Sequence, residues 1–180
     1  MGTTKSKRRI KIVESIASAI SSKKIFDTID YRNRNEDYIK QYMHQPLIRE
    51  LETLYEDLEL SRSADKELVK QKAKECLLWE GDVTTTVNNF TVFGTQHRPD
   101  FVVKIDKLRV AVEVKKGETG HSLREGIGQS LVYSSEFDFV VYLYVDISKD
   151  KKIRDSMNGV KEQELINDLW DSHNALFQVV

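Results

Sequence analysis

Arg98-Pro99-Asp100-Phe101-Val102-Val103 and, after a short turn around Asp106-Lys107, Arg109-Val110-Ala111-Val112-Glu113-Val114-Lys115-Lys116-Gly117 are two neighbouring segments rich in β-branched residues. Side chains of a strand alternate between its faces. Val110, Val112 and Val114 therefore point one way, and Arg109, Ala111, Glu113 and Lys115 point the other. A strand that buries three valines holds a carboxylate and an ammonium together on its opposite face. Phe101 to Ile105 reads as the preceding strand, joined to the second as a hairpin, and antiparallel pairing brings Asp100 close to Glu113. Lys116 alternates away from them.

Two adjacent carboxylates repel each other unless a cation bridges them or one takes a proton. Hard oxygen ligands with open coordination positions suit Mg²⁺ or Mn²⁺, and Mg²⁺ characteristically takes one or two carboxylates together with substrate phosphates. The carbonyl of Val114, backbone beside the pair, is a plausible third ligand. A lysine at the edge of such a site orients an attacking water or neutralises charge developing on a phosphate. In residue types, this is metal-assisted phosphodiester hydrolysis. A common alternative for such a triplet is a solvated edge strand carrying a Glu/Lys pair.

Pro99-Asp100 followed by Glu113-Val114-Lys115 resembles the signature of the PD-(D/E)xK nuclease superfamily, which contains many restriction endonucleases and Holliday-junction resolvases. The resemblance spans about residues 63 to 147. It implies an α/β fold with a restriction-endonuclease-like mixed sheet flanked by helices, an αβββαβ core at 63–180, preceded by a helical extension at 1–62. It implies that Asp100 and Glu113 hold the metal and that Lys115 is catalytic. It further implies a glutamine and a tyrosine on the helix after the lysine strand, for which Gln129 and Tyr133 stand at i, i+4 spacing. A third acid from the helix before the strands is also implied, with Glu67 favoured and Glu75 open.

The chain has 180 residues, 39% hydrophobic and 32% charged, with 28 Lys and Arg against 29 Asp and Glu and a net charge of −1. Overall charge thus announces no polyanionic partner, and any nucleic-acid surface must come from local clustering. A lone cysteine, Cys76, excludes an internal disulfide and fits a reducing compartment. No apolar run reaches membrane-spanning length, so the expectation is a soluble, cytoplasmic protein. Zinc-finger spacing, a P-loop, a dinucleotide fingerprint and a G-x-S-x-G elbow are all lacking.

Along the chain, Lys5, Lys7, Arg8, Arg9 and Lys11 form a basic arm able to touch phosphates. Ile12, Val13, Ile16, Ala17 and Ile20 predict a helix over about 8–22. Residues 25–35 read as irregular, and a short helix around Tyr38 to Met43 is expected to stop before Pro46. Leu47 to Leu58 carries a strong apolar stripe. A helix is expected from Asp65 to Glu80, capped by Ser63 or Asp65 and closed by Gly81. Val83 to Val87 and Phe90 to Phe93 favour strands, with a turn at Asn88-Asn89. Ser122-Leu123-Arg124-Glu125 fits a capping box that starts a helix over 122–135. Leu123, Ile127 and Leu131 form its expected buried stripe, and Gly126 and Gly128 suggest a close approach to the sheet or substrate. Phe139 to Val145 reads as a strand covered on both faces, entered by a right-handed crossover. Residues 161–173 predict a last helix and Leu176 to Val180 a short closing strand.

Arg98 is a candidate phosphate clamp, with His97 and His121 in loops flanking the site. The expected function is a metal-dependent DNA endonuclease using Mg²⁺ or Mn²⁺. Its competitors are a non-catalytic module that keeps the fold and an RNA-cleaving nuclease. A homodimer is expected, with the stripes at 12–20 and 47–58 as its interface and a groove lined by Arg8, Arg9, Arg98 and Lys115.

Overall fold

The computed structural model describes residues 5–57, 66–82 and 87–180. The first half is helical: α1 (Lys7–Ile20), α2 (Lys23–Thr28), α3 (Glu36–Asp57) and α4 (Lys66–Cys76). Then come β1 (Leu77–Trp79), β2 (Phe90–Val92), β3 (Thr95–His97), β4 (Phe101–Ile105) and β5 (Leu108–Gly117). The chain closes with α5 (Gly120–Tyr133), β6 (Phe139–Asp146), α6 (Lys152–Ser156), α7 (Val160–His173) and β7 (Ala175–Val179). Five strands form a mixed sheet in the order β1-β4-β5-β6-β7, and β2 and β3 form a separate hairpin. The fold is therefore α/β with helices flanking a mixed sheet. Among the described residues no helix is long and apolar enough to cross a membrane.

The β4–β5 hairpin follows the expected pattern. Asp106-Lys107 makes the turn, Ile105 pairs with Leu108, and Phe101 pairs with Val112. Val110, Val112 and Val114 are fully buried on one face. There they meet Phe101, Val103, Phe139 and Val141 and the apolar sides of α1, α3 and α4. Ala111, Val102, Val140 and Tyr142 face the second layer, which α5 and α7 cover. β6 lies parallel to β5, as a helical crossover requires, and β7 lies parallel to β6. All eight residues of β6 are buried, which accounts for its unbroken apolar run.

Several expectations are corrected. Residues 23–28 are helical rather than irregular. α3 does not stop before Pro46 but runs through it. Pro46 lacks an N–H and removes one ladder bond to Tyr42. The stripe Ile39, Met43, Leu47, Leu51, Leu54 nevertheless continues across it, fully buried, so tertiary packing holds the helix together. α4 ends at Cys76, and Leu77–Trp79, read as its last turn, is a strand antiparallel to β4. Leu77 enters one core cluster and Leu78 the other, a period of two hidden in a short apolar run. Phe93, expected in a strand, forms with Gly94 the turn of a β2–β3 hairpin, with Val92 opposite Thr95, and Asn88-Asn89 are in no assigned turn. The strand expected at 83–87 and the caps Ser63 and Asp65 fall on residues outside those described, apart from Val87, which is buried but in no strand.

α5 begins at Gly120, and the capping box does not form. The Ser122 hydroxyl donates to the Thr119 carbonyl and meets the Tyr144 hydroxyl at 2.9 Å. Its buried line is Gly126, Ser130 and Tyr133, while Leu131 is exposed. A Cβ on Gly126 would stand 2.1 Å from the Tyr142 hydroxyl. The helix thus approaches the sheet along its small residues, and Leu123 and Ile127 turn toward Ile153, Met157 and Ile166. Gly128, in contrast, faces open space.

The apolar stripes of α1 and α3 are consumed inside this chain. Ile12, Val13, Ile16, Ile20, Leu47 and Leu51 share one buried cluster with the sheet. They therefore do not by themselves call for a second copy. Arg8 and Arg9 pair with Asp106 at 2.9 Å and Asp138 at 3.7 Å. These acids sit at the end of the sheet opposite Asp100 and Lys115, so within one chain Arg8 and Arg9 do not line a groove with Arg98 and Lys115.

Candidate active site

Asp100 precedes β4, and the register Phe101↔Val112 sets it across from Glu113. Both are buried, 5% and 3% exposed, which excludes the solvated edge-strand reading. Asp100 is tied from two sides. Its Oδ2 accepts from the Val114 N–H at 2.7 Å, and its Oδ1 accepts from Lys40 Nζ at 2.8 Å. Val114 thus meets the site through its amide. Lys115 lies two residues beyond Glu113 on the same face, with Nζ 3.5 Å from Glu113 Oε1 and 4.0 Å from Glu36 Oε1. The three residues of the signature are therefore together at one end of the β4–β5 pair.

Three participants were not foreseen: Glu36, Lys40 and Glu80. Asn35 accepts from the Tyr38 N–H and so caps α3, placing Glu36 and Lys40 one turn apart on a single helix face. Glu36 also accepts from the Lys116 N–H at 2.9 Å, and the Lys116 ammonium donates to the carbonyls of Arg32 and Arg34. That lysine fastens the loop before α3 to β5. Glu80 is held by its own N–H donating to the Asp100 carbonyl. Its carboxylate takes Lys40 at 2.9 Å and Arg98 at 3.1 Å. In sequence, Glu36 and Lys40 look like an ordinary i, i+4 surface pair. Only the packing of α3 against β5 reveals their position.

The α5 residues approach from the other side. Tyr133 is buried and its hydroxyl donates to the Arg98 carbonyl at 3.1 Å. Its one proton can serve either this carbonyl or the Glu113 carboxylate beside it. Glu113 Oε2 and Gln129 Oε1 are both buried and have no hydrogen-bond partner. Arg98 is exposed and paired with Glu80. His121 is exposed in the first turn of α5. Glu67 and Glu75 do not join the pair. Glu67 is exposed beside Lys70 at 3.0 Å, and Glu75 accepts from Gln71.

Electrostatically, burial pushes both carboxyls above the usual carboxylate range. For Asp100 the Lys40 ammonium and the Val114 amide oppose that rise. For Glu113 the Asp100 carboxylate adds to it, and Lys115 and the Tyr133 hydroxyl oppose it. Glu113 is therefore the member of the pair that holds a proton first. Burial disfavours charge on Lys40 and Lys115, but the surrounding carboxylates outweigh it and keep both ammoniums firmly protonated. Burial, then Glu113, raises the Tyr133 phenol.

Among the described residues no group of three or more His, Cys, Asp or Glu is assembled as a ligand set. A two-carboxylate site with phosphate oxygens completing the shell needs no third acid. The orphaned oxygen of Glu113 is what such a site would offer a cation, since buried polar atoms are otherwise nearly always satisfied. Comparison with protein-family models, with curated proteins and with solved structures finds no match for this chain.

Proposed function

We propose that this protein is a metal-dependent nuclease that hydrolyses phosphodiester bonds of DNA, built on a restriction-endonuclease-like αβββαβ core. The observation that supports this best is the buried Asp100–Glu113 pair with one Glu113 oxygen unpartnered and Lys115 on the same face. Asp100, Glu113 and the Val114 carbonyl are the groups that would hold Mg²⁺ or Mn²⁺. When bound, the ion supplies an acidified water and neutralises charge on the scissile phosphate.

The remaining work falls to this chain's own residues. Lys115, half-buried and kept charged by Glu113 and Glu36, is placed to hold the attacking water or meet the developing phosphorane charge. Gln129, with its unpaired carboxamide oxygen, is the α5 residue assigned to assist there. Arg98 is exposed at the rim, where a bidentate clamp on a phosphate would replace its pairing with Glu80. Tyr133 fixes the Arg98 backbone. His121, at the start of α5, is a further phosphate contact. Glu36, whose oxygens meet Lys40, Lys115 and the Lys116 amide, holds Lys115 in position beside the pair.

One observation favours a second reading. Lys40 already supplies Asp100 with a cation, as it would in a module that keeps the fold without cutting. A panel of single-stranded, duplex, branched and RNA substrates with Mg²⁺ or Mn²⁺ separates the two. The expected result is DNA cleavage that falls by at least about 100-fold in Lys115→Ala and is abolished in Asp100→Asn/Glu113→Gln, with wild-type far-UV spectra throughout. Calorimetry should show Mn²⁺ binding to wild type and none to the double variant. Equal metal binding by the two proteins would overturn the assignment. Cleavage confined to RNA would change the substrate.

A further inference from the structure

Phe93 is 98% exposed and its backbone sits at φ 51°, with Gly94 at φ 73°. The two form the tip of the β2–β3 hairpin, beyond the last pair Val92↔Thr95. A two-residue turn with both φ values positive favours Asn-Gly or Gly-Gly, because a bulky L side chain crowds its own backbone there. A fully solvated phenyl ring is a second unfavourable feature at the same position. One change, to asparagine, would relieve both. Nothing within the described fold compensates them, since the ring packs on nothing.

The place of the hairpin gives the feature meaning. At its root, the Phe90 ring packs against Tyr133 at 5.9 Å, Phe137 at 5.8 Å and His97 at 5.6 Å. Its outgoing strand leads through Arg98 and Pro99 directly to Asp100. Phe93 lies three residues beyond Phe90, roughly 10 Å along an extended strand. The ring is therefore carried on a short arm anchored beside the acidic pair.

The chemistry of the arm narrows the partner. From Val87 to Arg98 there is no acidic residue, although the chain contains 29. The polar side chains are the amides of Asn88, Asn89 and Gln96 and the hydroxyls of Thr91 and Thr95, together with His97 and Arg98. Thr91, Gly94, Thr95 and Gln96 around the tip are exposed and small or polar. A single ring without apolar neighbours is no protein-docking patch, which needs a broad surface with several anchors. It does suit a nucleobase, whose flat face stacks on an aromatic side chain whatever the sequence, or a base step opened by an apolar wedge.

We infer that Phe93 is a base-stacking residue of the nucleic-acid substrate, engaging an unpaired or partly unstacked base while the phosphate backbone runs toward Arg98 and the acidic pair. This takes its substrate class from the proposed function above. The test is fluorescence anisotropy in EDTA with labelled single-stranded, duplex and bulged DNA, each carrying 2-aminopurine, on the full chain. Phe93→Asn should raise the urea midpoint, because it suits the turn, and yet bind about tenfold more weakly, the scale of one lost stack. Phe93→Trp should bind within about twofold of wild type and quench 2-aminopurine as wild type does. Phe93→Leu, apolar but without a π face, should behave like Phe93→Asn. Unchanged binding by Phe93→Asn, or full binding by Phe93→Leu, overturns the inference. So does a wild type that binds none of the three DNAs, which would hand the ring to a protein partner. Phe93-dependent binding without cleavage in Mg²⁺ or Mn²⁺ would uphold the stacking role and sink the hydrolase. Cleavage and binding indifferent to Phe93 would do the reverse.

Discussion

At the scale of single residues, the chemistry turns on how one buried carboxyl is satisfied. Asp100 has Lys40 and the Val114 amide, whereas Glu113 has Lys115 at 3.5 Å and one oxygen with no partner. Burial and Asp100 push the Glu113 carboxyl from 4.5 up to about 8. Between those values the folded protein holds a proton that the unfolded chain has released. Metal-free protein must then lose stability as pH rises through that window, and the stabilisation is gone once pH exceeds the folded value. Glu113→Gln cannot ionise, so it should be flatter across the window. At pH 9 in EDTA it should exceed wild type by on the order of 1–3 kcal/mol. Urea titrations at several pH values check this, and a constant difference between the two proteins from pH 5 to 9 would refute it. The same protein loaded with Mn²⁺ should reverse the trend, because a cation favours the ionised form. Part of this site was legible in the residues alone. Alternation placed Glu113 beside Lys115, and the hairpin placed Asp100 opposite. The hidden part was Lys40, Glu36 and Glu80, because charges on an amphipathic helix carry no mark of the strand they will meet.

At the scale of elements, the helix after the lysine strand is where pattern and packing diverge. Leu123, Ile127 and Leu131 have helical spacing, but the face against the sheet is Gly126, Ser130 and Tyr133. A helix drawn that close must show its smallest residues to the sheet, and Tyr142 fills the room that a Gly126 side chain would need. Gly126→Ala gains helix propensity worth roughly 1 kcal/mol and should still be destabilising by about 1–3 kcal/mol through overpacking. It should also displace Tyr133 from the acidic pair. Gly128→Ala meets open space and should stabilise by up to about 1 kcal/mol. Denaturant midpoints of the two variants decide the point, and Gly126→Ala at or above wild type would show that the approach is not tight. The glycines announced a close approach in sequence, but not which one made it. Pro46 misled for a related reason. Its local cost is real, yet the stripe from Ile39 to Leu54 is buried continuously and overrides it. Leu77–Trp79 reads as helix in the sequence because three apolar residues after an amphipathic run fit either period until β4 supplies a partner.

At the scale of the whole molecule, the first four helices behave as one wall of the core. α1 lies on α3 and reaches β6 and β7, and Ile16, Ile20, Leu47 and Leu51 are all fully buried in the cluster that contains Val112, Val141 and Leu143. α3 further supplies Lys40 and Glu36 to the acidic site. Two copies would still be a simple way to cut two strands, but such pairing would have to use another surface. The exposed large apolar side chains among the described residues, Tyr42, Phe93, Leu131, Val160 and Leu165, are dispersed over the hairpin and three helices. The segment 63–180 carries the signature residues and, among the described residues, all seven strands, yet without α1 and α3 it would expose the valine face of β4, β5 and β6 to water. A fragment beginning at residue 63 should therefore show no cooperative thermal transition, and Leu51→Ala in the full chain should lower stability by about 2–5 kcal/mol through the cavity it leaves. A fragment that melted cooperatively near the full-length temperature would show that the N-terminal helices are an appendage after all. It would also lack Lys40, and its Asp100, relieved of that ammonium and opened to water on the α3 side, would then report how much of the acidic site depends on α3.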